Sequence, residues 1–216
     1  MGFCSVIPQA PLRRITVFRW MIIVLAVVLL SGCVTSPPRQ IHNVCDIFDE
    51  KDGWYEDAKD AQEKWGVSIP VIMAFMYQES RFQPKAKPPR SRILWIFPGP
   101  RLSSAYGFSQ AKDDTWDWYK REAGSWGADR DDFGDAADFV GWYNNMSHRR
   151  CNIALNDTYH LYLAYHEGQG GFNRRTFRNK GWLKKVAKKV SSRAAVYQRQ
   201  LAGCQKRLES DGWWFF

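Results

Sequence analysis

Histidine and cysteine are scarce in this chain of 216 residues, which holds four of the first and five of the second. No two cysteines form a Cys-x-x-Cys pair, and no histidine stands at ligand spacing to them. A metal site is therefore not expected, nor is a cofactor. Internal repeats are missing, and no polar–apolar alternation persists, which argues against a solenoid or an all-β domain. No apolar run reaches the roughly 20 residues of a membrane-spanning helix. Acid is also in deficit: 22 Asp+Glu stand against 31 Lys+Arg, for a formal charge of +9.

Aromatic residues, by contrast, are plentiful at 15%, a richness that excludes a disordered chain. The length suits one sizeable domain with extensions. A basic surface rich in aromatics suits nucleic acid, anionic lipid or an acidic polysaccharide, and composition does not choose among them.

The N-terminus narrows the choice. Arg13, Arg14 and Arg19 precede the apolar run WMIIVLAVVLL (20–30), and Ser31-Gly32-Cys33 follow it. Positive charge, a short apolar stretch and small residues in that order make a secretory signal. Leu30-Ser31-Gly32-Cys33 resembles the bacterial lipobox, in which case residues 1–32 are removed and Cys33 is lipidated. The alternative is an ordinary signal or anchor with a chance cysteine. Val34, where an Asp would favour the inner membrane, implies anchoring on the periplasmic face of a Gram-negative outer membrane. Residues 1–33 hold three Arg and no acid, so the remainder keeps +6 of the +9. Export argues against nucleic acid as the partner.

Residues 33–44, with Pro37-Pro38, read as the lipidated cysteine and a tether, and 45–216 as the domain. From Trp54 onward the periodicity is helical. WYEDAKDAQEKW (54–65) stops at Gly66, and the next helix takes Ser68 as its N-cap with Pro70 in the first turn. Ile69, Ile72, Met73, Phe75 and Met76 form its apolar arc, and Glu79 falls between Ile72 and Met76 on the wheel. Residues 85–104 (KAKPPRSRILWIFPGPRLSS) are too broken by proline for a helix and read as an extended insertion loop. Further helices are expected around DDTWDWYKREAG, from Asp135 with Phe139, Val140, Tyr143 and Met146 inward, and over 158–171, ended by glycines. The last helix carries Leu183, Val186, Val190, Ala194, Tyr197, Leu201, Cys204 and Leu208 on one stripe, opposite Lys184, Lys185, Lys188, Lys189 and Arg199. The expected class is all-α.

In an exported protein three cysteines, Cys45, Cys151 and Cys204, stand in a disulfide-permissive compartment. Cys204 faces the core, and Cys45 precedes the apolar Ile47 and Phe48 that begin the domain. A Cys45–Cys204 bond is expected, with Cys151 free in a polar stretch; three free thiols or a Cys151–Cys204 pair are the alternatives.

A carboxylate on an apolar stripe must pair with a cation, ligate a metal, or be held as a protonated acid. Arg81, two residues on, points round the other side of the helix. Glu79 alone fits a core glutamate satisfied by a distant arginine better than it fits a general acid. Two further segments turn the balance towards the acid. With Glu79-Ser80, Gly107-Phe108-Ser109-Gln110 and Ala164-Tyr165-His166-Glu167-Gly168 in that order, the chain resembles the lysozyme-like lytic transglycosylases of the soluble (SLT) type. Their pattern is Glu-Ser at a helix end, Gly-x-x-Gln, then Ala-Tyr-x-x-Gly, here spread over about 45–208.

The resemblance implies a fold like that of goose-type lysozyme and cleavage of the bond from N-acetylmuramic acid to N-acetylglucosamine in peptidoglycan, leaving a 1,6-anhydro ring. It makes Glu79 the general acid and then the base, Gln110 a hydrogen-bonding partner of the sugar, and Gly107 the residue that lets the backbone approach it. Tyr165 would orient Glu79 or steady the developing charge. Ser80, Ser104, Tyr106 and Glu167 join them as candidate substrate contacts. His166 stands where the family usually has Asn, and the insertion before Gly107 is longer than in simpler members.

An ordinary glycosidase needs a second carboxylate. After Glu79 none follows until Asp113. The rival readings are a hydrolytic muramidase using Glu167, a non-catalytic lipid-anchored wall-binding module, and a thiol peptidase on Cys151, which has no supporting motif. Glycan strands and a membrane are the expected partners and a monomer the expected state; a place in an envelope-spanning machine is left open.

Overall fold

The computed structural model describes residues 36–93, 97–123 and 125–211. The expected signal segment and the lipidation site Cys33 lie outside them. Among the described residues the elements run α1 (Val44–Glu50), α2 (Trp54–Trp65), α3 (Ile69–Ser80), β1 (Arg90–Ile93), β2 (Phe97–Arg101), α4 (Asp113–Ala123), α5 (Phe133–Cys151), α6 (Thr158–Asn173) and α7 (Gly181–Asp211). No described helix is long and apolar enough to cross a membrane. The architecture is all-α and lysozyme-like, with one small hairpin.

Helix α3 sits at the centre. Every residue from Ile69 to Met76 is buried, so this helix is apolar all round rather than amphipathic. It contacts α7 along one side and α2 and α5 on others. Burying side chains of this size stabilises by roughly 1.5–3 kcal/mol each before chain entropy is subtracted. Pro70 occupies the first turn, and Gln62 Oε1 accepts the Ile69 N–H at 2.9 Å. Ser68 holds the N-cap position, but its side chain makes no capping bond; the expected cap is supplied by Gln62 instead.

The far end of α3 is abrupt. Arg81 caps it in the left-handed region (φ 52°, ψ 40°), and Phe82 follows with φ 59°. Two successive non-glycine residues there cost on the order of 1–2 kcal/mol each. Phe82 offsets this by complete burial, its ring near Trp54 and Tyr77.

The insertion is not merely a loop. Its strands pair antiparallel, Arg90 opposite Arg101 and Ile93 opposite Phe97, with an irregularity between Arg90 and Arg92. Proline at 98 and 100 does not prevent pairing, because a two-stranded ribbon has outer edges that need no N–H donor.

Helix α5 crosses α2 so closely that a Cβ on Gly141 would lie 2.8 Å from the Trp65 ring. Asp138 ties the same junction, accepting from Trp65 Nε1 (2.7 Å) and Tyr119 Oη (2.6 Å) and pairing with Lys64 (2.9 Å). Trp54 stacks on Phe133 with ring centroids 3.9 Å apart. Helix α6 does not end at its glycines: Gly168 (φ 73°, ψ 155°) breaks it, and a second segment continues to Asn173.

The tether ends earlier than Val44. Tyr197 donates to the Ile41 carbonyl, and Gln200 accepts the Val44 N–H at 3.1 Å while donating to the His42 carbonyl at 3.2 Å. Cys45 and Cys204 are joined by a disulfide across 159 residues, and Cys151 is free. The loop-entropy account assigns such a long closure about 4–5 kcal/mol, less any strain. Replacing Cys45 and Cys204 by Ser is expected to lower the unfolding free energy by about 4 kcal/mol, seen as a lower urea midpoint, while the helical signal persists. Reductant should bring the unmodified protein to the same midpoint and leave the variant where it is; a reductant-insensitive midpoint would show that the bond adds nothing.

Candidate active site

Helix α3 carries Glu79 out of the core into a cavity of about 480 Å³ between α3, α4, α5, α6 and the 103–112 segment. A larger groove of about 810 Å³ runs between α3 and α7, but its lining includes Arg81, Lys185 and Arg193 and not Glu79. The smaller cavity is the candidate site because it gathers all three sequence motifs.

Glu79 is only partly open to the cavity. Burial pushes its carboxyl up to about 7, against the opposing effect of a hydrogen bond from Tyr162. That bond runs from Tyr162 Oη to Glu79 Oε1 at 2.8 Å. Tyr162 is itself buried, its ring edge-on to Phe75 of α3. It was not among the residues singled out from the sequence. The available signal was its position three residues before Tyr165 on an apolar helix, hence on the same face.

Tyr165 lines the cavity, but its hydroxyl donates to the Ser109 carbonyl at 2.6 Å. Of the two tyrosines it is Tyr162 that bonds Glu79. Tyr165 instead fastens α6 to the Gly-x-x-Gln turn, with its ring packed near Phe75 and Tyr143.

That turn is tightly built. Gly107 has φ +77°, and a Cβ there would lie 1.9 Å from the Arg130 carbonyl oxygen. Its absent side chain accommodates this chain's own backbone, not an approaching sugar as expected. Gln110 takes φ 51° and donates from Nε2 to the Ala86 and Gly107 carbonyls, both at 2.9 Å. Both amide hydrogens are thereby used, and Oε1 is the side chain's remaining group for a ligand.

Glu167 also borders the cavity, with its side chain only 4% exposed. Burial would raise its pKa, but Lys180 Nζ (2.8 and 2.9 Å), Thr176 Oγ1 and His166 Nδ1 (3.2 Å) bind its oxygens and hold it down to about 2. Lys180 lies beyond the break at Gly168, where no spacing rule predicts the contact. His166 lines the cavity too and rests edge-on to the exposed Trp182.

Three expected contacts point elsewhere. Ser80 is buried, and its hydroxyl donates back to the Met76 carbonyl at 3.1 Å within α3. A hydroxyl so placed is satisfied by its own helix. Ser104 Oγ accepts the Asp113 N–H at 3.2 Å and so caps α4. Ser104 and Tyr106 border a side chamber, not the cavity around Glu79. Among the described residues no cluster of three or more His, Cys, Asp or Glu is arranged to hold a metal ion.

Residues 21–204 match the transglycosylase SLT domain family. The chain belongs to that family. No curated protein matches it. Membership places the chain in a family that acts on peptidoglycan.

The Tyr162 bond has a signed consequence. A hydroxyl donating to the carboxylate favours the ionised form, so its loss should raise the Glu79 midpoint above about 7. Carboxyl ¹³C titration of Tyr162→Phe, with the Glu79 signal assigned through Glu79→Gln, checks this. A midpoint unchanged or lowered would mean that the bond does not tune the acid.

Proposed function

We propose that this protein is a peptidoglycan lytic transglycosylase that uses Glu79 as its single acid and base. The reading is carried by the contrast between the two carboxylates of the cleft. Glu79, raised to about 7, can hold and release a proton near neutrality, whereas Glu167, held to about 2 by Lys180 and its neighbours, is a poor base and no proton donor. A hydrolytic muramidase with Glu167 as its second carboxylate would need that ion pair to open first.

The steps then balance without water. Tyr162 occupies Glu79 Oε1, so the transferable proton sits on Oε2. Oε2 delivers it to the glycosidic oxygen, the bond to the muramyl anomeric carbon breaks, and N-acetylglucosamine leaves with a free 4-hydroxyl. The substrate's 2-acetamido oxygen stabilises the cation. Glu79, now a carboxylate, removes the proton of the muramyl 6-hydroxyl as that oxygen attacks the anomeric carbon and closes the 1,6-anhydro ring. Gln110 Oε1 accepts a hydrogen bond from a sugar hydroxyl or amide. His166 offers an imidazole at the cleft where the family usually presents an amide.

Glu79→Gln keeps the shape and removes the proton, so muropeptide release from purified sacculi should fall by about a thousandfold or more. Wild-type products should be one water lighter than reducing-end muropeptides by mass spectrometry. Because the first step needs protonated Glu79, kcat/KM should decline as pH rises past about 7. Reducing-end products would replace the transglycosylase with a muramidase, and comparable release by Glu79→Gln would remove Glu79 from the mechanism.

We also propose that the protein is lipid-anchored through Cys33, a reading supported by Leu30-Ser31-Gly32-Cys33 behind the arginine-flanked apolar run. Cys33→Ala should abolish incorporation of a fatty-acid probe and shift the protein out of the membrane fraction. Undiminished labelling would end the proposal.

A further inference from the structure

A side chamber of about 300 Å³ opens beside the cleft, lined by Lys87, Arg101, Ser103, Ser104, Tyr106 and Arg130. Ser103 and Ala105 line both cavities, so the two are neighbours. Its cations come largely from the insertion: residues 85–104 contain Lys85, Lys87, Arg90, Arg92 and Arg101 and no carboxylate. The hairpin register sets Arg90 directly opposite Arg101, an arrangement of like charges that weakens a two-stranded ribbon.

The cations are held in place. Arg101 Nη1 donates to the Pro88 carbonyl at 2.7 Å, and Lys87 Nζ lies over the Tyr106 ring, 5.0 Å from its centroid. Arg130 stacks on the same ring at 5.4 Å and pairs with Asp113 at 2.8 Å. Tyr106 is kept in position by its hydroxyl, which donates to Asp131 at 3.1 Å. Lys87, Arg90 and Arg101 have no carboxylate partner among the described residues. A chain that gathers unpaired cations against a pre-set aromatic beside its cleft sacrifices stability, and an anionic ligand would restore it.

We propose that this chamber is a subsite for the carboxylates of the short acidic peptide borne on the muramyl lactyl group. The inference rests on the reading of the Glu79 cleft as the site of glycan cleavage. A muramyl residue bound there carries its peptide out to one side, and the neighbouring chamber lies within reach of it. Lys87 and Arg101 pair with peptide carboxylates, Ser103 and Ser104 supply hydroxyls, and Tyr106 offers a flat apolar wall. The insertion thereby selects peptide-bearing strands over bare ones.

The test uses the full-length protein and two readouts. In the first, the free tetrapeptide is titrated against wild type, Lys87→Gln/Arg101→Gln and Lys87→Glu. The last variant breaks no hydrogen bond and guards against a folding defect from losing the Arg101–Pro88 contact. Binding should be salt-sensitive, weaken about tenfold in each variant, and vanish when the peptide carboxylates are amidated. In the second, kcat/KM is compared on peptide-bearing strands and on the same strands stripped by an amidase. Wild type should prefer the former at least fivefold, and the variants should bring that ratio towards one.

Absence of tetrapeptide binding by the wild type, or equal binding by the variants, overturns the proposal. So does binding to phosphatidylglycerol vesicles that the variants lose while the tetrapeptide does not bind, which would make the patch membrane-facing. If neither kind of strand yields anhydro products, it is the cleavage reading that fails, and the peptide titration still decides the subsite.

Discussion

The carboxyl group of Glu79 ends a helix that is buried on every side, and the candidate site is organised around the cost of ionising it there. Water cannot solvate that group fully, so its proton is retained to about pH 7. The requirement extends back through α3: a helix with one wet face would let solvent reach the carboxylate and lower its pKa. Ile69 to Met76 are therefore apolar on all sides, and α2, α5 and α7 are needed to cover them. Among the described residues Tyr162 is the polar partner of Glu79, and it works against burial by favouring the anion. The balance of the two leaves an acid that gives up its proton near neutrality and can take one back.

Polar partners in the rest of the cleft are distributed so that they do not compete for that role. Lys180, Thr176 and His166 saturate Glu167, the hydroxyl of Tyr165 is spent on Ser109, and Nε2 of Gln110 is spent on Ala86 and Gly107. The Lys180–Glu167, Tyr165–Ser109 and Gln110–Ala86 bonds also join separate stretches of chain. The cleft walls are thus fastened to one another through the polar groups that line them, which fixes geometry before any ligand arrives.

The all-α class and the inward aim of Glu79 were legible because period and apolarity report burial directly. The Cys45–Cys204 pairing was reachable too, since Cys204 lies on the apolar stripe of α7. Contacts that depend on how segments meet were not. Ser80 follows Glu79 in a family motif, yet one step along a helix turns a side chain by 100°, and it faces its own backbone. Gly107 looked like a place for substrate, but its neighbour, the Arg130 carbonyl, comes from a loop more than twenty residues away. The hairpin was hidden because the prolines that exclude a helix do not exclude a ribbon with free edges. Tyr162 was readable in principle from its spacing to Tyr165 and was masked by the apolar residues around it.

Backbone strain follows the same boundary between core and cleft. Of the five non-glycine residues in left-handed conformations among the described residues, Arg81, Phe82 and Gln110 lie at the ends of segments that frame Glu79, while Asn152 and Arg175 lie elsewhere. Such residues cost on the order of 1–2 kcal/mol each and persist only where surrounding packing over-determines them. For Phe82 the compensation is complete burial; for Gln110 it is two hydrogen bonds from its own amide. The first turn directly follows the helix that carries Glu79, and the second places Gln110 in the wall of the same cavity. Packing energy from the core thus holds two strained turns beside the half-buried carboxyl whose burial raises its pKa.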